Sequence, residues 1–224
     1  MPASEIKHII TNDGSSTLYS PQYDEHYHSV HGAIQESMHV FIRMGLDGLA
    51  SERKDIRILE MGFGSGLNAL LSLLYRKDRR VHYTGIEAIP VEAEIAEGLN
   101  YADKLGESAL KTPFMALHNA PWEEETEIVP GFLLQKYHIK LEEFVPQGSY
   151  DLIYFDAFAP NSQPELWTEQ MMQRMYEMTT AGGIFVTYSA KSSVRRGLQA
   201  AGYTVEKLPG PPGKREMLRA TRPL

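Results

Sequence analysis

The sequence predicts an α/β domain, doubly wound, with a mostly parallel sheet, helices on both faces and an N-terminal extension in front. Three observations predict it. From Arg57 onward, short apolar runs of strand length alternate with longer runs of helical period, the pattern of repeated strand–helix units. The run Leu152-Ile153-Tyr154-Phe155 is continuously apolar and β-prone, as a central strand covered on both faces must be. A glycine-rich turn, Gly62 to Gly66, joins the first such strand to the first helix, where open sheets of this class leave a ligand crevice.

In order along the chain, residues 1–50 form the extension and residues 51–224 the core of one domain, a size that buries a substantial interior. The extension carries turn signals at Asn12-Asp13-Gly14, a polar aromatic segment from Tyr19 to His31, and an amphipathic helix from Ala33 to Gly45. Its apolar residues Ile34, Met38, Phe41 and Ile42 recur at helical spacing. Ile58–Met61 is the first core strand, Leu67–Tyr75 a helix, and Val81–Glu87 the second strand. Pro90–Lys104 reads as a helix begun by proline in its first turn. Phe114–His118 reads as a third strand, and the acidic stretch 121–148, with two further prolines, as an insertion. Tyr150–Asp156 is the fourth strand, stopped by Ala157-Phe158-Ala159-Pro160, and Pro164–Met178 a helix. Gly183–Ser189 is the fifth strand and Ser192–Ala201 a helix stopped at Gly202. Tyr203–Leu208 and Arg215–Ala220 close the domain as an antiparallel hairpin around Pro209–Gly213.

Composition narrows the function classes. There is no cysteine, so disulfides, thiolate metal sites and cysteine nucleophiles are excluded. No stretch approaches the ~20 apolar residues of a membrane span, and the N-terminus carries no signal-peptide pattern, so a cytoplasmic setting is expected. Net charge is −7, but it is segregated: residues 191–224 hold eight Lys/Arg against two Glu, +6, leaving −13 over residues 1–190. Such segregation makes a local cationic surface on an acidic molecule. A solvated helix face with a basic tail has the same composition.

The turn Glu60-Met61-Gly62-Phe63-Gly64-Ser65-Gly66 lets backbone approach a ligand at a helix N-terminus. A dinucleotide fingerprint is G-x-G-x-x-G, whereas here the third glycine comes one residue early. An acidic residue followed by G-x-G-x-G suits S-adenosylmethionine, which has no pyrophosphate to cradle. Glu87 ends the second strand, where a carboxylate takes both ribose hydroxyls. A glycine turn that only packs helix on sheet is the alternative.

Asp156 stands at the tip of the fourth strand, just outside the sheet's carboxyl edge. It is either a helix cap or a group facing an acceptor. Methyl transfer to an amine is an in-line displacement that depends on orientation and exclusion of water. Asp156, with the 157–159 carbonyls and Phe158 as an apolar wall, accepts N–H bonds and aims the lone pair. An ordinary aspartate, with a pKa of about 3.9, is a poor base for an alkylamine near 10, so orientation with later proton acceptance is the expected role.

The chain resembles the tRNA 5-aminomethyl-2-thiouridine methyltransferase domain family, elsewhere fused to a flavin-dependent oxidase. The resemblance runs through Tyr19-Ser20…Tyr27-His28-Ser29, Glu36-Ser37…His39-Val40-Phe41, Gly62–Asn68, Asp156–Pro160…Pro164–Trp167, Thr187–Ala190…Val194-Arg195-Arg196 and Pro209–Leu218. Ala157 and Ser65 depart from the family pattern, where glycine and threonine are common. The resemblance implies a Rossmann-like class I methyltransferase with a seven-stranded sheet. It further implies methylation of the aminomethyl group on a tRNA wobble uridine, and Asp156 facing the acceptor amine. It implies that Gly62, Gly64, Gly66 and Glu87 hold the cofactor, and Glu60, Asn68 and Asp156 are read as further cofactor contacts. Tyr27 and His28 either line the mouth of that site or serve packing, and Trp122 or Asn119 either flanks the adenine or belongs to core or loop packing. With no oxidase domain before the end at Leu224, no FAD is expected here; any oxidative step belongs to a separate enzyme.

Glu36 either reaches the acceptor site or lies on a solvated helix face. Arg195, Arg196, Lys214 and Arg215 are read as phosphate contacts to an anticodon stem-loop, which position RNA without reading sequence. His26, His28 and His31 lack the spacing of a metal site. The alternative functions are a methyl- or aminopropyl-transferase for a small amine, and a non-catalytic cofactor-binding RNA chaperone.

Overall fold

The computed structural model describes residues 6–224; the first five positions of the extension lie outside the described residues. The extension folds as strands β1 (Lys7–Ile10), β2 (Ser16–Ser20) and β3 (Glu25–His26) in a small antiparallel sheet, followed by helix α1 (Ala33–Ser37). Leu18 of β2 is fully buried in the main core, which ties this sheet to the rest. The helix expected to Gly45 widens into a π-helical turn over Met38–Arg43, where Met44 N–H reaches the His39 carbonyl. That turn buries three consecutive residues, Val40, Phe41 and Ile42, a broader face than a regular helix offers.

Strand β4 (Asp55–Met61) leads through the glycine turn into α2 (Leu67–Tyr75), then β5 (Arg80–Glu87). The helix expected over 90–104 is two short ones, α3 (Ala93–Glu97) and α4 (Tyr101–Lys104), broken at Gly98-Leu99-Asn100. Asn100 there serves the extension: its side chain accepts from Ser16 N–H at 2.8 Å and donates to the Gly14 carbonyl at 3.0 Å.

The expectation for 114–118 is corrected. These residues lie within helix α5 (Lys111–Asn119), which buries Phe114 and Leu117 three positions apart on one face. The stretch read as an insertion supplies the strands instead: β6 (Thr126–Val129) and β7 (Phe132–His138), where Phe132, Leu134 and Lys136 alternate inward. A short apolar run fits either element until its partners are known. Strand β8 (Tyr150–Phe155), helix α6 (Glu169–Met178), strand β9 (Thr179–Thr187), helix α7 (Ser192–Ala201) and the hairpin β10 (Thr204–Pro209) and β11 (Glu216–Thr221) complete the chain.

The sheet order is β10-β11-β9-β8-β4-β5-β7-β6, parallel from β9 to β7 and antiparallel at both edges. It has eight strands rather than seven because β6 adds an edge to β7. Two apolar clusters cover its faces: Leu70, Tyr83 and Tyr154 belong to one, Ile153, Phe155, Met172 and Phe185 to the other. From β4 the chain moves outward to β5 and β7, then returns to β8 on the opposite side, so the switch point lies between β4 and β8. No helix among the described residues is long and apolar enough to cross a membrane.

Candidate active site

At the carboxyl ends of β4, β5 and β8 lies a cleft of about 540 Å³, within the range that encloses a nucleoside-sized ligand. Its floor is the glycine turn. Gly62 and Phe63 N–H both donate to the Ile86 carbonyl, at 3.0 and 3.1 Å, which folds the turn across the end of β5. Gly62 has φ +84° and passes so near β8 that a Cβ would stand 2.9 Å from the Asp156 carbonyl oxygen. At Gly64 a Cβ would meet the Tyr27 ring at 2.9 Å. The turn therefore needs glycine for close approach as well as for its backbone angles.

Glu87 anchors one end of the cleft. Its two carboxylate oxygens accept Gly64 N–H at 2.9 Å and Ile89 N–H at 2.8 Å. Burial pushes its pKa up against those N–H bonds. Ile89, Ile139 and Leu141 offer apolar walls beyond it, with Tyr23 and Phe158 opposite, their ring centroids 4.7 Å apart. Tyr27 lines the mouth edge-on to Phe158. His28 is buried with Nε2 2.7 Å from Ser65 Oγ, and burial lowers its pKa to about 4, so the ring is neutral.

Asp156 closes the other end. Its N–H donates to the Met61 carbonyl, and Oδ2 accepts from Asn68 Nδ2 at 2.8 Å. The same Asn68 amide donates to Glu60 Oε1 at 2.9 Å. Burial first, then the charge of Glu36, raises the Asp156 pKa to about 8, against the Asn68 bond and Lys214. Burial pushes the Glu60 carboxyl well above the usual carboxylate range. The site thus contains a carboxyl whose proton affinity lies close to neutral pH.

Several sequence expectations are corrected. Glu60 is wholly buried and does not line the cleft; it carries Asn68, which in turn carries Asp156. Trp122 lies in an adjoining hollow, beside Lys136, whose Nζ is 4.6 Å from the Trp122 ring centroid and donates to the His118 carbonyl at 2.6 Å. The hydrophobic walls of the main cleft come instead from β5- and β7-end residues such as Ile89 and Ile139. Lys214 is no free surface cation: its ammonium binds Glu36 Oε1 at 2.6 Å and sits 3.8 Å from the Tyr188 ring centroid. Arg196 and Arg215 are exposed, while Arg195 is partly covered with its Nε buried and unpartnered. The site also takes in Tyr188, which donates to the Ala157 carbonyl at 2.8 Å and whose one signal in sequence is its place just past the apolar run of β9. Ile139 and Leu141 lie in the 121–148 stretch, whose acidic composition gives no sequence signal for a cleft wall. Among the described residues no three His, Cys, Asp or Glu side chains converge as a metal site.

The glycine turn, the Glu87 carboxylate with its apolar flank, and a second polar end at Asp156 fit an adenosyl group with an amino-acid tail. Comparisons with known proteins agree. Residues 131–223 match a family model described as S-adenosyl-L-methionine-dependent methyltransferase. The chain is 32% identical to the tRNA 5-methylaminomethyl-2-thiouridine biosynthesis bifunctional protein MnmC of Cupriavidus metallidurans over 230 residues, covering 93% of this chain and 33% of that protein. It is likewise 32% identical to the MnmC protein of Leptospira interrogans, covering 94% and 34%. The crystal structure of MnmC2 from Aquifex aeolicus superposes with a TM-score of 0.78 at 29% identity, covering 100% of this chain and 73% of that one. The chain spans about a third of the length of the curated relatives it matches. Glycine turn, terminal acid, sheet order and sequence likeness converge: the chain belongs to the S-adenosyl-L-methionine-dependent methyltransferase domain family of the MnmC proteins.

Proposed function

We propose that this protein methylates the aminomethyl group of 5-aminomethyl-(2-thio)uridine at the wobble position of tRNA, giving the methylaminomethyl form. The observation that carries the reading is Asp156: a near-neutral carboxyl at the polar end of a nucleoside-sized cleft, in a chain whose relatives are named for making 5-methylaminomethyl-2-thiouridine. When bound, S-adenosylmethionine supplies an electrophilic methyl group on a sulfonium. The protein's part is to bind, aim and keep out water. Asp156, steadied by Asn68, accepts an N–H of the acceptor amine and turns its lone pair toward the methyl. With the cofactor held by the glycine turn and Glu87, its methyl would pass to the amine nitrogen, and Asp156, once ionised above about pH 8, would take the surplus proton from that nitrogen.

Sequence alone expected a poor base. Burial changes that, because raising the carboxyl to about 8 brings it within about two pKa units of an ordinary alkylamine. Phe158, Tyr23 and Tyr27 form the aromatic wall that shields this step. Arg196 and Arg215 on the exposed surface are the candidate phosphate contacts. A wobble base already lies in a single-stranded loop, where it is splayed out at modest cost. The test is mass spectrometry of nucleosides from tRNA incubated with protein and labelled cofactor. Label is expected in methylaminomethyluridine, and Asp156→Ala is expected to abolish nearly all of it while leaving cofactor affinity within a few-fold. Label recovered only in small amines would refute the RNA reading.

A further inference from the structure

Glu36 and Lys214, 178 positions apart in sequence, meet beside Asp156. The Glu36 side chain is only 6% exposed, and both its oxygens are engaged: Oε2 by Ser29 N–H at 2.7 Å, Oε1 by Lys214. Lys214 packs over Tyr188, whose hydroxyl binds the carbonyl of the residue next to Asp156. A few residues away His39 Nε2 donates to the Pro209 carbonyl at 2.7 Å. The loop between β10 and β11 is thus tied both to the extension and to the strand end that carries Asp156. An exposed ion pair contributes little, but a carboxylate this buried becomes an uncompensated charge when its cation is removed. Such a pair is built for more than surface solubility.

The groups that face Asp156 come from every neighbouring element. Burial pushes Glu60 on β4 well above the usual carboxylate range, and Tyr83 on β5, beside it, is held neutral by burial. Asn68 on α2 is neutral, and Tyr188 beyond β9 is held neutral by burial. His28, also neutral, stands beside Glu36 and Lys214. Glu36 and Lys214 are the charged members of this group, and they are of opposite sign.

We propose that the Glu36–Lys214 pair is a positioning device for methyl transfer. By placing one negative and one positive charge beside Asp156, it sets the pH at which that carboxyl is free to take the acceptor's proton. This deepens the amine-methylation reading and rests on it, but the charge coupling itself needs no substrate.

The experiment is an NMR titration of the Asp156 carboxyl carbon in protein labelled at aspartate, assigned with Asp156→Asn. It compares wild type with Lys214→Met, Lys214→Arg, Glu36→Gln and the double Glu36→Gln/Lys214→Met. Lys214→Met should raise the midpoint by on the order of one pH unit, and Glu36→Gln should lower it comparably. The double variant should return near wild type, and Lys214→Arg should stay there. Should Lys214→Met fold poorly because it strands Glu36, the comparison is carried by Glu36→Gln, which leaves only the part-exposed Lys214 without its counter-ion, and by the double variant, which strands no charge. One common midpoint for all folded proteins would overturn the proposal. The pH profile of methyl transfer to tRNA forms a second arm, and its limb should move with the NMR midpoint. Midpoints that move in a protein unable to methylate tRNA would defeat the functional reading and leave the coupling intact. Methylation with immobile midpoints would do the reverse.

Discussion

Replacing Asp156 with asparagine should stabilise this protein at alkaline pH while removing its activity. In the folded chain the carboxyl keeps its proton up to about pH 8, whereas in the unfolded chain it ionises near 3.8. Between those values the folded state binds more protons, so stability falls as pH rises through the window, and above about 8 the whole cost is present. At about 1.36 kcal/mol per pKa unit the interval sets a ceiling of roughly 5–6 kcal/mol. The cleft admits water, which screens the carboxylate and brings the expected gain from Asp156→Asn to about 1–3 kcal/mol at pH 8.5. The asparagine oxygen still accepts from Asn68, so that amide keeps its partner. Urea unfolding at pH 8.5 and 4.5 tests this. Stabilisation should be largest at pH 8.5 and mostly vanish at 4.5; for a domain of this size each kcal/mol moves the melting temperature by about 2–4 °C. Equal effects at the two pH values, or a loss at pH 8.5, would refute the argument that burial strains this carboxyl.

Other predictions test the remaining parts of the site. Glu87→Gln should weaken S-adenosylhomocysteine binding by calorimetry about 10–100-fold, the cost of losing a charged hydrogen-bond acceptor; an unchanged affinity would remove Glu87 from the cofactor site. Gly64→Ala should destabilise by about 1–2 kcal/mol in urea, since φ is +49° and the new methyl meets Tyr27. Adding Tyr27→Leu to that variant should recover part of the loss by relieving the contact, and no coupling between the two would mean the contact is unimportant. Arg196→Ala with Arg215→Ala should weaken tRNA binding and reduce its log–log salt slope by about 0.7–0.9 per lost phosphate contact.

The corrections share a cause. Phe114–His118 has the composition of a strand, yet Leu110, Phe114 and Leu117 are buried at helical spacing, and five residues are too few to separate the two periods. Phe132–His138 does not stand out as a strand in sequence, because its inward alternation includes Lys136, a charged residue that only a specific carbonyl and two aromatic rings make tolerable inside. Its place beside the glycines suggests Glu60 as a cofactor ligand, but on β4 it points into the interior, a direction set by the pleat.

By itself the sequence determined the repeated strand–helix units, the glycine turn, Glu87 and Asp156, because each is written in a local pattern: periodicity, positive-φ residues, and an acid at the end of an apolar run. Tertiary structure alone decided that Lys214 neutralises Glu36 across 178 positions and that Asn68 bridges Glu60 to Asp156. It also decided that Asp156 titrates near 8 rather than 3.8. Proton affinity depends on desolvation and neighbouring charge, and both are properties of the packed neighbourhood, assembled from segments that no local window of sequence contains.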